Sequence, residues 1–330
     1  MVLTTTDLTF SSKLHAYLVF NGFFLFLIGL NVTLLLAFLR YPFQVGAYIL
    51  LPYYTYCKVL TRPETKQGTR WPSFSKNFFL LTILRDYLGL TIHQPLPERL
   101  VEAEQTKDAQ FIIAVFPHGT ASDYRVAMDG MLDQVFPNTY DNVRTLGASV
   151  LLLIPIVREI FLWTSGIDAS RPVAEKALDK GYSLVVLPGG EAEQIRTICS
   201  RERVYLKNRK GFLKLALRKG VPVVPMYVFG VSDFYRTSNA MMGPRLWLVK
   251  NLGICIPFAV GFWGSILCPR PVKTTIVVGE PLSFPISDAK QGPTAEELDK
   301  AHQQFCIALV GLFDEHKRRL GYGERTLELL

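Results

Sequence analysis

The sequence has few cysteines, and nothing in their spacing indicates a disulfide framework. Its five cysteines are Cys57, Cys199, Cys255, Cys268 and Cys306, and no two of them form a Cys-x-x-Cys pair. Scattered cysteines of odd number are typical of reduced thiols that lie in a membrane or face the cytosol. The sequence therefore argues against a secreted domain stabilised by disulfides.

Two kinds of functional motif are also missing. No Gly-x-Ser-x-Gly sequence occurs, which argues against a serine hydrolase of lipid esters, because that motif forms the nucleophile elbow of such enzymes. No nucleic-acid recognition module accompanies the basic residues, so we expect no nucleic-acid partner. The chain contains no internal repeat and no low-complexity tract.

Charged side chains are absent from two long stretches near the N-terminus. Ala16–Leu39 is 24 residues long and residues 41–57 make 17, with only Arg40 between them. As a helix the first stretch would be about 36 Å long, enough to cross a hydrocarbon core of about 30 Å. The second is interrupted by two prolines and a glycine, so it either spans with tilt or re-enters. We predict a membrane hairpin over residues 14–60, with a buried globular hairpin as the alternative.

Acidic residues are nearly absent from one later segment. Between Arg196 and Lys219 there are nine basic residues and a single acid, Glu202. This segment alone equals the net charge of +8 of the whole chain. Such a patch favours an anion, either the phosphates of a ligand or acidic lipid headgroups; a solvated helix face is the alternative.

The remaining pattern alternates strands and helices. We divide the chain into a polar tail, a hairpin, a connector and a catalytic domain, at residues 1–13, 14–60, 61–110 and 111–330. The Val- and Ile-rich segments predict strands at 111–116, 183–187, 223–228 and 274–278, and helices are expected near 122–135, 172–180 and 208–219. This alternation predicts an α/β fold with a mostly parallel sheet flanked by helices. Thr294 and Glu297 form a capping box before a helix with one apolar face.

Two further apolar stretches have no obvious place in that sheet. They are Ala148–Trp163 and Leu246–Cys268. Either one could be ordinary core, line a channel for a long acyl chain, or dip into a membrane surface.

The most informative stretch is the predicted strand that ends in Phe116-Pro117-His118-Gly119, with Asp123 five residues after the histidine. In a straight strand or a regular helix His118 and Asp123 would not meet. They can meet only if the chain turns, and the glycine and hydroxyl residues between them favour a turn. A carboxylate that holds an imidazole in one tautomer makes it a general base. The spacing alone is weak evidence, since it can arise by chance.

Three more blocks follow in order along the chain. They are Gly166-x-x-x-x-Arg171, the Pro188-Gly189-Gly190-Glu191-x-Glu193 segment, and Val224-Pro225 running to Phe229-Gly230, with Arg209-Lys210-Gly211-Phe212 before the last. The ordered set resembles the glycerolipid acyltransferases, and more closely the membrane diacylglycerol and monoacylglycerol acyltransferase family. The resemblance covers roughly residues 15–318. The first histidine of the family's His-Pro-His-Gly block is Phe116 here, which leaves His118 as the candidate base.

The resemblance implies a glycerolipid acyltransferase-like α/β fold and transfer of an acyl group from acyl-CoA to a lipid hydroxyl. His118 would act as base, with Asp123 orienting its ring and backbone N–H groups near Gly119 stabilising the oxyanion. Glu193 would contact the glycerol acceptor or brace the pocket. Because Glu191 is only two residues away in the sequence, it could take this role instead. The expected substrate-binding residues are Pro117, Gly119, Arg171, Gly189, Gly190, Glu191, Arg209 and Lys210. Acyl-CoA is expected as a substrate, and no metal or other cofactor is required.

The acceptor implied first is diacylglycerol, giving triacylglycerol. Monoacylglycerol, a long-chain alcohol or a lysophospholipid are the alternatives, and a silent protein of membrane or lipid-droplet surfaces is the alternative of a different class. The expected location is the endoplasmic reticulum membrane or the lipid droplet, with the catalytic domain facing the cytosol. The oligomeric state is left open.

Overall fold

The computed structural model describes residues 8–106, 108–253, 255–288 and 291–330. Most of the predicted tail, residues 1–7, lies outside the described residues. The helices within the described ranges are α1 Phe10–Arg40, α2 Pro42–Val45, α3 Leu51–Thr55, α4 Pro72–Asn77, α5 Phe79–Leu88, α6 Glu98–Glu104, α7 Asp123–Asp129, α8 Val157–Trp163, α9 Arg171–Asp179, α10 Gly190–Gln194, α11 Gly211–Lys219, α12 Met242–Leu252 and α13 Ala295–Lys317. The strands are β1 Thr91–Ile92, β2 Ile112–Phe116, β3 Val143–Gly147, β4 Gly166–Asp168, β5 Ser183–Val186, β6 Glu202–Val204, β7 Val223–Phe229, β8 Arg236–Thr237, β9 Ala259–Val260, β10 Thr275–Val278 and β11 Leu327–Leu329.

Seven strands form the main sheet, in the order β1-β10-β7-β2-β5-β3-β4. Strands β7, β2, β5, β3 and β4 run parallel to one another, while β10 is antiparallel to β7 and β1 is parallel to β10. Two small sheets, β11 with β6 and β8 with β9, lie outside it. The predicted mostly parallel sheet flanked by helices is confirmed.

The sheet separates two apolar cores. Side chains along β2 alternate between them because successive residues of a strand point to opposite faces. Ile113 and Val115 pack in the core that includes α5 and α7, whereas Ile112, Ala114 and Phe116 pack in the core that includes α9, α11 and α13. All five side chains are fully buried, which explains the continuous apolar run in the sequence.

The four predicted strands and the α13 capping box are confirmed. Thr294 Oγ1 accepts the Glu297 N–H at 3.2 Å, and Glu297 Oε2 accepts the Thr294 N–H at 2.7 Å. The helix predicted near 122–135 is shorter than expected and ends at Asp129. Its neighbour Gly130 lies against the Ser75 backbone, where a Cβ atom would overlap.

Residues 61–110, which the sequence analysis assigns to a connector, contain a strand of the main sheet. Thr91 and Ile92 pair with Thr275 and Ile276, so the segment called a connector already contributes a strand to the main sheet. It also contains α5, whose Leu84 and Leu88 are buried in the first core. The connector is therefore part of the folded domain.

The N-terminal apolar stretches are helical. Helix α1 has 31 residues, beginning inside the predicted tail, and among the described residues it alone is long and apolar enough to cross a membrane. After a break at Tyr41 the second stretch continues as α2 and α3 with two π-helical segments, Gly46–Leu50 and Tyr56–Thr61. Most of α1 is exposed, but Ala16 and Phe20 are buried in the first core.

Candidate active site

Three of the predicted motifs meet at the carboxyl edge of the parallel strands. Strand β2 lies between β5 and β7 and is parallel to both, so the loops that follow these strands are neighbours. The β2 loop carries His118, the β5 loop leads to Glu193, and the β7 loop begins at Gly230. Carboxyl ends of parallel strands are where α/β proteins place their ligand sites.

The His118 ring is partly buried and contacts its own loop. Its Nδ1 lies 3.1 Å from the Gly119 carbonyl oxygen. A carbonyl oxygen can only accept, so we assign the ring proton to Nδ1, which leaves the Nε2 lone pair free to take a proton. The Ser122 hydroxyl lies 3.0 Å from Nδ1 and 3.2 Å from Nε2. That hydroxyl donates to the His118 carbonyl oxygen at 2.8 Å, and in the assigned tautomer Nε2 is the ring nitrogen that can accept a proton.

Burial lowers the pKa of His118, because a charged ring loses its hydration there, while the Gly119 carbonyl and the Glu191 charge act in the opposite direction. The lowered pKa keeps the imidazole neutral at neutral pH. A neutral imidazole is the form that can accept a proton from an alcohol.

Asp123 lies at the first position of α7, but its carboxylate is turned to another partner. Its Oδ2 accepts the hydroxyl of Tyr235 at 2.8 Å. Both Asp123 and His118 are described, and no hydrogen bond joins them in the structure. Burial raises the pKa of Asp123 to about 6, although the Tyr235 hydrogen bond acts against this. The imidazole therefore contacts the Gly119 carbonyl, whereas Asp123 bonds Tyr235 in the segment that follows β7.

Glu193 holds the same loop through its backbone. It is fully buried, and its Oε1 accepts the His118 backbone N–H while its Oε2 accepts the Tyr205 backbone N–H at 2.8 Å. Burial raises the pKa of Glu193 to about 7, against the effect of these two donors and of the Arg209 charge. Of the two readings of this acid, bracing the pocket fits the geometry, since both oxygens already have backbone partners.

Each glycine of the motifs is required for a different structural reason. Gly119 has a φ of 70°, and a Cβ there would overlap the Val231 side chain. A Cβ on Gly189 would overlap the Glu193 carboxylate, so this glycine makes room for the acid to fold back. Gly190 has a φ of 51°, a backbone conformation that glycine adopts without strain. The Gly-Gly-x-x-Glu spacing thus lets the Glu193 carboxylate reach the His118 backbone N–H.

The predicted basic residues separate into near and remote ones. Arg209 Nη2 lies 3.5 Å from the Gly189 carbonyl oxygen, and its guanidinium lies over the Tyr205 ring at 5.3 Å. Arg196 lies over the same ring at 4.8 Å. Lys210 instead pairs with Asp299 of α13 at 2.5 Å. The patch therefore presents Arg196 and Arg209 beside the site and turns Lys210 away.

Arg171 also lies away from His118. It begins α9 after the edge strand β4, three strands from β2, or about 14 Å at the usual strand spacing. Its side chain is 58% exposed and pairs with Glu175 at 2.8 Å. The predicted Pro117, by contrast, is in the His118 loop, and its carbonyl oxygen accepts the Tyr124 hydroxyl at 2.7 Å.

Sequence reasoning missed several residues of the site. Tyr205 supplies a backbone N–H to Glu193, Tyr235 holds Asp123, and the Gln194 side chain donates to the Thr120 carbonyl at 2.5 Å. Gln194 comes directly after Glu193, the last residue of the Gly-Gly-x-x-Glu motif, and this position in the sequence could have indicated it. Nothing local marks the two tyrosines, because they reach the site only through folding.

No group of three His, Cys, Asp or Glu side chains is arranged to hold a metal ion in the part of the chain that the structure describes. The charged and polar groups at the carboxyl edge are instead arranged around one imidazole. Their arrangement supports proton transfer at His118 Nε2 and binding of an anion near Arg196 and Arg209.

Comparison with known proteins identifies the chain as an enzyme of the acyltransferase class. The family model described as "Diacylglycerol acyltransferase" matches residues 40–330, and the chain belongs to this family. It is 28% identical to human diacylglycerol O-acyltransferase 2 over 309 residues, covering 87% of this chain and 76% of that protein. It is 32% identical to human acyl-CoA wax alcohol acyltransferase 2 over 231 residues, covering 66% of this chain and 67% of that one.

Among solved structures, the chain is similar to the 1-acyl-sn-glycerophosphate acyltransferase of Thermotoga maritima. The TM-score is 0.40 at 18% identity, covering 71% of this chain and 79% of that chain.

Proposed function

We propose that the protein transfers a fatty acyl group from acyl-CoA to the free hydroxyl of diacylglycerol, giving triacylglycerol, with His118 as general base. The observation that carries this proposal is the His118 ring at the end of the central strand, with Nδ1 against the Gly119 carbonyl and the Ser122 hydroxyl 3.2 Å from Nε2. Membership of the diacylglycerol acyltransferase family supports the reaction class.

In the proposed reaction the alcohol oxygen attacks the thioester carbon while Nε2 of His118 takes the hydroxyl proton. The oxyanion then collapses and the CoA thiolate leaves, and it receives the proton from the imidazolium. A thiolate is a good leaving group, because a thiol has a much lower pKa than an alcohol. The His118 N–H already donates to Glu193, so other N–H groups of the Gly119 loop are proposed to stabilise the oxyanion. The scheme needs neither a metal nor a covalent enzyme intermediate.

Substrate binding is assigned by charge and proximity. Arg209 and Arg196 are proposed to bind the phosphates of CoA, while Lys210, paired with Asp299, and Arg171, paired with Glu175, are proposed as more distant cations. Glu191 is proposed to accept a hydroxyl of the glycerol, since it is only partly buried while both Glu193 oxygens are occupied. Pro117, Gly119, Gly189 and Gly190 would form the walls next to the reacting atoms.

A membrane location follows from the apolar surface. Helix α1 is about 46 Å long by its rise, its mean hydropathy reaches 2.4, and only 6% of that window is buried. The apolar stretch Leu246–Cys268 also exposes Trp247, Trp263 and Ile266, and its Trp263 ring lies 5.7 Å from Phe10 of α1. We propose attachment to the endoplasmic reticulum membrane or a lipid droplet, with the His118 edge towards the cytosolic leaflet. Protease protection in microsomes tests the orientation.

The test of the proposed base is His118→Ala in the purified full-length protein, assayed with labelled acyl-CoA. Acyl transfer should be lost while the melting temperature stays close to that of the parent protein. His15→Ala, which removes an exposed histidine of α1, is the matched control and should keep full activity. Near-normal turnover of His118→Ala would refute the assignment.

The acceptor is decided by supplying diacylglycerol, monoacylglycerol, a long-chain alcohol and a lysophospholipid in parallel. We expect diacylglycerol to give the highest kcat/KM. A higher value for another acceptor would move the protein to that specificity, and no turnover with any of them would favour a silent surface protein. Release of fatty acid without CoA would indicate hydrolysis instead.

A further inference from the structure

The structure contains a second cluster of charged side chains that the proposed chemistry does not use. One guanidinium nitrogen, Arg325 Nη1, lies 2.7 Å from Glu202 Oε1 and 2.8 Å from Asp233 Oδ2. Both carboxylates are fully buried. Glu202 is the single acid of the basic segment, and its position in the sequence gave no sign of this role.

The two acids of the cluster are themselves well supplied with donors. Glu202 Oε2 accepts the Tyr227 hydroxyl at 2.7 Å and the Ser232 hydroxyl at 2.8 Å, and Asp233 Oδ1 accepts the Ser200 hydroxyl at 3.0 Å. A buried ion cluster is favourable only when its remaining hydrogen-bonding positions are satisfied in this way. The guanidinium is therefore held in one place and joins two segments firmly.

The first of these segments is connected to the His118 loop through Glu193. Glu202 begins β6, and β6 is followed directly by Tyr205, whose N–H donates to Glu193. The other oxygen of Glu193 accepts the His118 N–H. Only one residue, Glu193, therefore stands between the β6 segment and the backbone of the proposed base.

The second segment contacts the same loop on its other side. Val231, two residues before Asp233, packs on Gly119, and Tyr235, two residues after it, donates to Asp123. Arg325 thus joins the segment that bonds Glu193, the acceptor of the His118 N–H, to the segment that contacts Gly119 and Asp123. Strand β11, next to Arg325, pairs with β6 in parallel and adds a second link to that segment.

We propose that Arg325 is a positioning residue for His118, which acts by joining residues 200–206 to residues 231–235 and so fixing both sides of the His118 loop. The expected effect of Arg325 on kcat rests on the proposed function of the protein. Its structural part, the coupling of the His118 loop to residues 325–329, can be measured without any acyl transfer.

The first experiment is native-state hydrogen exchange on the unaltered full-length protein at increasing denaturant. The amides of His118, Tyr205 and residues 327–329 should open together, with the same opening free energy and the same denaturant dependence. Exchange of the His118 amide that is independent of residues 327–329 would overturn the proposal. This arm requires no variant to fold.

The second experiment removes the guanidinium without leaving buried charges unpaired. The triple variant Arg325→Met, Glu202→Gln, Asp233→Asn avoids the severe destabilisation expected of Arg325→Met alone. We expect kcat to fall about ten- to a hundredfold, since small misplacements of a catalytic group have effects of that size. KM for acyl-CoA should change less than about twofold, and the His118 amide should exchange faster.

The controls separate positioning from general destabilisation. Glu328→Gln removes the Arg203–Glu328 pair, which is 2.9 Å long and belongs to the same C-terminal strand, and it should leave kcat unchanged. Arg325→Lys keeps a cation for both carboxylates and should retain more activity than the triple variant.

Three outcomes decide between the proposals. A folded triple variant with the parent's kcat would overturn the positioning role, and so would a lower kcat with unchanged exchange at His118. Coupled exchange in a parent protein that transfers no acyl group would refute the proposed function and leave the coupling established.

Discussion

Glu193→Gln tests how the buried acid supports the base. In the parent protein two backbone N–H groups, of His118 and Tyr205, each have their own carboxylate oxygen as acceptor. An amide offers one oxygen and one NH2 group, so one of the two N–H groups must face another donor. A buried donor without a partner costs roughly 1–3 kcal/mol, and we expect the free energy of unfolding to fall by about that amount.

Activity should fall as well, because the orphaned N–H displaces the His118 loop. We expect kcat to decrease at least about tenfold, with a smaller change of KM for acyl-CoA. The assay is best run near pH 8.5, where Glu193, with its pKa raised to about 7, is ionised in the parent protein. Thermal or denaturant unfolding of the same preparations gives the stability change.

The matched control is Glu104→Gln. Glu104 is also fully buried. Its Oε1 accepts the N–H groups of Asn138 at 2.8 Å and Thr139 at 2.7 Å, and its Oε2 accepts the Asn138 side-chain NH2 at 2.9 Å, but the residue lies before β2, at the opposite edge of the sheet. It should lower stability without lowering the kcat of the folded enzyme. If Glu193→Gln behaved like Glu104→Gln, with lower stability and unchanged kcat, the argument that Glu193 positions the base would be refuted.

Three further predictions concern protonation, the Asp123 pair and helix α1. Burial raises the pKa of Glu193 from 4.5 to about 7, so between these pH values the folded protein keeps a proton that the unfolded chain releases. As the pH rises from about 4.5 to 7, the parent should therefore lose roughly 3 kcal/mol of its free energy of unfolding. Glu193→Gln should not show this loss, and denaturant unfolding at several pH values measures the difference. Asp123→Asn and Tyr235→Phe should be non-additive in stability by about 0.5–3 kcal/mol, because their side chains bond each other; additive effects in a double-mutant cycle would contradict this. Phe20→Ala should destabilise the protein by about 3–5 kcal/mol, since Phe20 is buried in the first core, whereas Leu25→Ala on the exposed face should have little effect in detergent; equal effects would show that α1 does not pack as described.

The parts of the fold that depend on local pattern could be predicted from the sequence. The Val- and Ile-rich run before Pro117 predicted β2 because a strand buried on both faces needs apolar residues at every position. The Thr294–Glu297 capping box predicted the start of α13, since its hydrogen bonds join residues three apart. The missing charges in Ala16–Leu39 predicted an apolar helix in the same way. The family blocks led to His118, Gly189, Gly190 and Glu193.

The partners of those residues could not be predicted, because they come from distant parts of the chain. Asp123 is five residues from His118, yet its partner is Tyr235, 112 residues away. Glu193 has both oxygens occupied by backbone groups of other segments, which no side-chain motif records. Arg325 bridges acids that lie 123 and 92 residues before it.

The sequence by itself determined which residues would stand at the ends of the strands, because strand length, turn chemistry and apolar pattern are properties of neighbouring residues. Only the tertiary structure decided which of them would touch. The direction of each side chain depends on how the strands stack in the order β7-β2-β5 and on where the loops between them turn. For this protein that stacking brings Glu193 to the His118 backbone N–H and Val231 to the neighbouring Gly119.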